Sequence, residues 1–163
     1  TFYVIVCCMN LSIIITVYNK AKYIKKCLNS CLHQQDVKPD DYELIVVNDG
    51  STDNSLEYVK EYANQYDNIR VIDQANAGLS MARNNGVDAA RGDYVWFVDA
   101  DDCVSDNAVK QIDDASESNP DIIPICARTE GEENIRNNIP VEVKSGRDIL
   151  LCGKWTHCSP LYL

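Results

Sequence analysis

The run GDYVWFVDADDCVS, Gly92–Ser105, carries five apolar residues, Tyr94 to Val98, straight into Asp99, Asp101 and Asp102. Aromatic and β-branched side chains in so short a run suit a strand buried on both faces, as in a parallel sheet. Like charges crowded at its end repel one another unless something positive sits among them. The stretch therefore implies two things at once, a parallel sheet around the strand and a cation beyond it.

Upstream, short apolar runs alternate with helical patterns, the signature of βαβ units. LSIIITV (Leu11 to Val17) reads as a buried strand. Ile24, Cys27, Leu28, Cys31 and Leu32 then recur at helical spacing, with Lys25 and Lys26 on the outer face. Pro39 and the Asp40–Asp41 pair mark a turn. YELIVV (Tyr42 to Val47) is a second strand, and Leu56, Val59, Ala63 and Tyr66 give the next helix its inner face. IRVID (Ile69 to Asp73) is a third strand, and Asn76 to Ala90 is a loop entering a helix. YVWFV is the fourth strand, followed by a helix around Asp106 to Ser118. DIIPIC (Asp121 to Cys126) reads as a fifth strand weakened by Pro124. Beyond Arg128 the pattern loosens into a polar excursion, with a short helix over Ser145 to Cys152 capped by Ser145.

Right-handed crossovers bring the carboxyl ends of parallel strands to one edge, where ligands sit in such sheets. Those ends read TVYN, VNDGS and DADD, so the pattern predicts a single acidic crevice. Asp99 and Asp101 stand at i and i+2 and should point to the same side. Standing alone, an acidic turn is a solvated turn. Behind YVWFV, with a second acidic strand end nearby, two hard carboxylates suit Mg²⁺ or Mn²⁺. Asp49 either binds the amides of its own turn or accepts a hydrogen bond from a ligand such as a base N–H. Tyr18 either packs at its strand end or offers a ring face to that base. Arg83, on the first turns of a helix, either steers an anionic ligand or pairs with the acidic loops. His33 and His157 have no catalytic context and read as surface or core residues.

The 163 residues suit one domain, 1–163. A net charge of -10 argues against nucleic acid or an anionic membrane surface as the default partner. An anionic ligand held through a metal remains compatible with it. Eight cysteines without a Cys-x-x-Cys read as buried reduced thiols rather than disulfides. The apolar TFYVIVCCMN (Thr1 to Asn10) is short for a membrane span, and reads as an extra strand or a remnant of an upstream segment. The absence of an initial Met and the abrupt SPLYL ending point to an excerpt.

Leu11–Asn19 (LSIIITVYN), Glu43–Ser55 (ELIVVNDGSTDNS), Asn76–Gly86 (NAGLSMARNNG) and Tyr94–Asp102 (YVWFVDADD) together resemble the inverting family 2 glycosyltransferases of GT-A fold. The order and approximate spacing match over roughly residues 10–126, which would be the nucleotide-binding part. The resemblance implies an α/β fold of GT-A (Rossmann-like) type, a mostly parallel sheet with helices on both faces. It implies that Thr16 and Tyr18 line the nucleotide pocket, that Asp49 holds the uracil or other base, and that Arg83 lies near the nucleotide-sugar. Asp99-Ala100-Asp101 matches the family's DXD motif, with Asp101 the direct ligand of Mn²⁺ or Mg²⁺ and Asp99 supporting the nucleotide or the metal. Thr16 departs from the Pro commonest at its position. The family's catalytic base is a later Asp or Glu, for which Glu130, Glu132, Glu133 and Asp148 lack the surroundings. GKWTHCSPLYL resembles the region shortly before that motif.

The implied reaction moves a sugar from a nucleotide-diphosphate sugar, a UDP-sugar by preference, to a saccharide or lipid-linked acceptor with inversion. Surface-polysaccharide or glycoconjugate synthesis is the family-level context. A cytoplasmic location, with peripheral contact at the inner face of the membrane, suits that supply of donor. Two rivals stand beside it. A non-catalytic module would bind nucleotide-sugar without turnover, and a signalling domain would carry a phosphorylated Asp but would leave Tyr18 and Arg83 without a task.

Overall fold

In the computed structural model, residues 11–121, 123–126 and 158–160 are described. β1 (Leu11–Val17) occupies an inner position of a four-stranded sheet, and six of its seven side chains are fully enclosed. Only a strand covered on both faces needs such a sequence. On one side it pairs in parallel with β2 (Tyr42–Asp49), which pairs in turn with β3 (Ile69–Gln74). On the other side it pairs in parallel with β4 (Tyr94–Asp99). The order β3-β2-β1-β4 realises the expected parallel sheet.

Alternation along β1 sends its side chains to two cores. Leu11, Ile13, Ile15 and Val17 pack with α1 (Ile24–Leu32), α2 (Ser55–Ala63) and α4 (Ala108–Ser116), through residues such as Leu28, Val59 and Ile112. Ile14 points the other way, into a smaller core with Ile45, Val47, Val95 and Ala82 of α3 (Leu79–Ala89). Helices thus cover both faces. α3 lies so close to the sheet that a Cβ on Gly86 would fall 2.5 Å from Ile14 Cγ2.

At the amino-terminal edge, buried Ser12 closes the sheet with polar bonds. Its Oγ donates to Glu43 Oε1 (2.8 Å) and accepts from the amides of Arg91 (3.2 Å) and Gly92 (2.9 Å). Arg70 completes the knot, its Nη1 donating to Glu43 Oε2 at 3.1 Å.

Several sequence expectations change. DIIPIC does not join the parallel sheet, because β5 (Pro124–Cys126) pairs antiparallel with β6 (Cys158–Pro160) in a separate two-stranded sheet. The helix expected over Asp106 to Ser118 is shorter at both ends, and β3 runs one residue further, to Gln74. Leu56 is only half-buried and stays outside the core that holds Val59, because Ser55, Tyr58 and Tyr62 take the inward places. Cys27 and Cys31 are free buried thiols as expected, whereas Cys103 is free and exposed in the turn after β4. The Pro39–Asp41 turn is present as one turn of 3₁₀ helix. His33 sits at the end of α1, its Nδ1 2.9 Å from Asn29 O, edge-on to Tyr66. The readings of residues 1–10, the polar excursion, the Ser145–Cys152 helix and His157 lie outside the described residues. Among the described residues, no helix is long and apolar enough to cross a membrane.

Candidate functional site

From β1 the chain builds outward through β2 to β3, then returns across the sheet to lay β4 on the other flank of β1. Strand order therefore reverses between β1 and β4, which is where open parallel sheets bind ligands beyond their carboxyl ends. Thr16 lies at that point, half-buried, in register with both Val47 and Asp99.

The acidic run behaves differently from a continued strand. β4 ends at Asp99 and the chain turns at once, the amide of Asp102 donating to Asp99 O at 2.9 Å. Spacing i, i+2 no longer fixes direction in a turn, and the two carboxylates find partners on different elements. Arg83 of α3 donates through Nη2 to Asp99 Oδ1 at 3.0 Å, its guanidinium 5.4 Å from the centre of the Phe97 ring. Lys20, in the loop after β1, donates through Nζ to Asp101 Oδ2 at 2.6 Å. That bond from Lys20 holds the Asp101 carboxyl below the usual carboxylate range and raises Lys20 in return. Asp102 is pushed up, first by burial and then by the neighbouring charges of Asp99 and Asp101. Ala100 is buried beneath the turn, and the Cys27 thiol lies 3.6 Å from Asp99 O.

The loops after β1 and β2 are bolted together. Asn19, in the left-handed region at φ 52°, accepts at Oδ1 from the amides of Thr52 (2.8 Å) and Asp53 (3.3 Å). Its own amide donates to Ser51 Oγ, that of Lys20 to Ser55 Oγ, and that of Ala21 to Asp53 Oδ2. These bonds settle where the Lys20 backbone stands. Tyr18 precedes them, directly after β1, with half its surface exposed.

Asp49 lies on the same sheet edge, with β1 between it and β4, and it is almost completely buried. Its Oδ1 accepts from Gln74 Nε2 and from the amide of Ala77, both at 2.8 Å, and its Oδ2 accepts from the amide of Gly78 at 2.9 Å. Burial opposes the charge, but the bonds from Ala77, Gln74 and Gly78 outweigh it and leave the carboxyl below its ordinary value. The loop 75–78 that supplies the two amides rests directly on the turn after β2. Gly50, at φ +70°, leaves room there that a Cβ would fill, 2.6 Å from the Asn76 amide nitrogen. Asp49 thus binds backbone amides, but those of the loop after β3 rather than of its own turn, and with three bonds received its carboxylate keeps one lone pair of Oδ2 for a further donor.

Asp99, Asp101, Arg83 and Thr16 thus gather at the switch point, with Tyr18 directly after β1 and Asp49 set back. Sequence reasoning missed Lys20, Asn19, Ser55 and Gln74. The polar run YNK after a buried strand was the available signal for the first two. A shallow hollow lined by Thr52, Asn54, Leu56, Lys60 and Asn64 lies along α2, and Ser51, Thr52 and Asp53 link it to the carboxyl edge. It lies along a helix rather than where the strand order reverses, and so makes a poor rival to the switch point.

Comparison with known proteins agrees with this fold. The model of the family described as Glycosyl transferase family 2 matches residues 12–158. The uncharacterized glycosyltransferase EpsJ of Bacillus subtilis is 40% identical over 136 residues, covering 83% of this chain and 39% of that protein. The uncharacterized glycosyltransferase YibD of Escherichia coli is 39% identical, covering 90% and 46%. The chain therefore spans less than half the length of these relatives. Among solved structures, S. aureus TarS 1-349 in complex with UDP-GlcNAc superimposes with a TM-score of 0.70 at 31% identity, covering 78% of this chain and 37% of that one. The parallel sheet with helices on both faces is accordingly of the GT-A type seen in TarS.

Proposed function

The chain belongs to glycosyl transferase family 2, and we propose that it moves a sugar from a nucleotide-diphosphate sugar, a UDP-sugar by preference, to a saccharide or lipid-linked acceptor with inversion. The observation that carries this reading is the meeting of Asp99, Asp101, Arg83 and Thr16 where the strand order reverses. The UDP-GlcNAc complex of TarS supports the choice of donor.

A divalent cation, Mn²⁺ or Mg²⁺, fits the donor set. Asp99 and Asp101 offer hard oxygens, and both side chains are partly exposed. Among the described residues no group of three His, Cys, Asp or Glu gathers, so the protein would give few ligands. Mg²⁺-type sites that share their ion with phosphates have this form. When bound, such an ion supplies Lewis-acid neutralisation of charge on the leaving diphosphate. Arg83 adds a fixed positive charge beside it, and Tyr18 and Thr16 line the nucleoside side. Asp49 accepts from the base through its open lone pair while its amide bonds hold it rigid. The acceptor's proton needs a base that none of these residues supplies. A cytoplasmic location, at the inner face of the membrane, fits the donor supply and the free thiols of Cys27, Cys31 and Cys103. Surface-polysaccharide assembly fits the family.

Calorimetry of UDP binding tests the reading directly. Binding should need Mn²⁺, disappear with EDTA, and weaken at least about tenfold in Asp101→Asn. Equal heats with Mn²⁺ and with EDTA would sink it.

A further inference from the structure

We propose that Lys20 is a built-in placeholder for the metal, holding Asp101 in the free chain and releasing it to a divalent ion when a diphosphate arrives to take the ammonium. This rests on the function proposed above and adds an order of events to it. Each carboxylate of the motif already carries a cation, Lys20 on Asp101 and Arg83 on Asp99. Together these four groups are neutral. A divalent ion entering alone must displace an ammonium or sit beside it, and either is unfavourable. Entering with the doubly negative diphosphate of a nucleotide-sugar, the ion leaves the total charge unchanged, and the displaced ammonium gains phosphate oxygens as partners.

The position of Lys20 is constructed rather than incidental. Its amide donates to Ser55 Oγ at 2.8 Å, and Ser55 is fully buried. Its carbonyl accepts from the amides of Tyr23 (2.9 Å) and Ile24 (3.0 Å), fixing the entry to α1. Asn19 and Ala21 on either side are held by the loop after β2. The backbone is therefore clamped, and only the flexible four-carbon stem, 37% exposed, is left to swing between carboxylate and phosphate. Because the exchange links the two ligands, metal and nucleotide must strengthen each other's binding by the same factor.

Two variants separate charge from shape. Lys20→Met keeps the stem and removes the ammonium, while Lys20→Arg keeps the charge. Mn²⁺ binding to the protein without nucleotide is read from the loss of the free-ion paramagnetic resonance signal, and UDP binding from calorimetry with and without Mn²⁺. Lys20→Met should bind Mn²⁺ alone about twofold to fivefold tighter than the parent, the range for releasing an exposed ion pair. The gain in UDP affinity that Mn²⁺ confers should shrink, and Lys20→Arg should follow the parent in both. A Lys20→Met variant that binds Mn²⁺ alone no better than the parent, beside a parent that binds UDP with Mn²⁺, overturns the placeholder and leaves the proposed function standing. A parent that binds no UDP with Mn²⁺ overturns both.

Discussion

Gly50→Ala should damage the site through the fold, by a route that can be traced bond by bond. At φ +70° an alanine costs about 1–2 kcal/mol for the left-handed backbone alone. Its Cβ would also stand 2.6 Å from the amide nitrogen of Asn76, a backbone atom that no rotamer change can move aside. The loop 75–78 must back away, and with it go the Ala77 and Gly78 amides that bind Asp49. Each such bond contributes about 0.5–1.5 kcal/mol net, so the whole change should cost about 2–5 kcal/mol. Urea unfolding followed by circular dichroism measures it as a lowered midpoint at unchanged slope. The route is isolated by repeating the substitution in an Asp49→Ala background. There the amide bonds are already absent, so Gly50→Ala should cost about 1–3 kcal/mol less. Strict additivity of the two changes would refute the argument, because it would mean the alanine acts without disturbing the Asp49 contacts.

Acidification should destabilise the chain through Asp49, Glu43 and Asp53. In each, burial raises the carboxyl's pKa but hydrogen bonds outweigh it, leaving the folded value below the unfolded one. The unfolded chain then binds more protons, so stability is fully present above the unfolded value, about 4, and is lost as pH falls through the folded values. Urea midpoints between pH 5 and about pH 2 should fall with acid, and Asp49→Asn should flatten part of that slope; a parallel slope in the variant would remove Asp49 from the account. Thiol chemistry offers a separate check on the turn after β4. Peptide mapping after brief alkylation of the native chain should find Cys103 modified and Cys27 and Cys31 spared until urea is added. Early labelling of Cys27 would contradict its burial beneath Asp99.

The strands were legible because burial on both faces leaves a mark that needs no partner to read. LSIIITV and YVWFV are apolar on consecutive positions, and only enclosure on two sides makes that tolerable in water. α1 was legible for the complementary reason, since Ile24, Cys27, Leu28 and Cys31 fall on one stripe. Membership of a sheet leaves no such mark. PIC in β5 is as apolar as a core strand, and its partner over Cys158–Pro160 lies more than thirty residues on. Nothing local distinguishes a fifth parallel strand from half of a separate ribbon.

The site divides along the same line. Asp49, Asp99 and Asp101 stood out because each breaks an apolar run at its carboxyl end, and parallel connections send those ends to one edge. Their partners did not stand out. Lys20 is one of four lysines within seven residues, and what sets it apart is a carboxylate 81 positions away. The partner of Asp101 was illegible for a related reason, since alternation governs a strand only while the strand lasts, and this one ends at Asp99. Sequence pattern therefore reports which charges must be neutralised, while the fold decides which cation does it. In this chain the free protein answers with its own lysine and arginine, and that makes the affinity of the crevice for a bare metal ion the quantity most worth measuring.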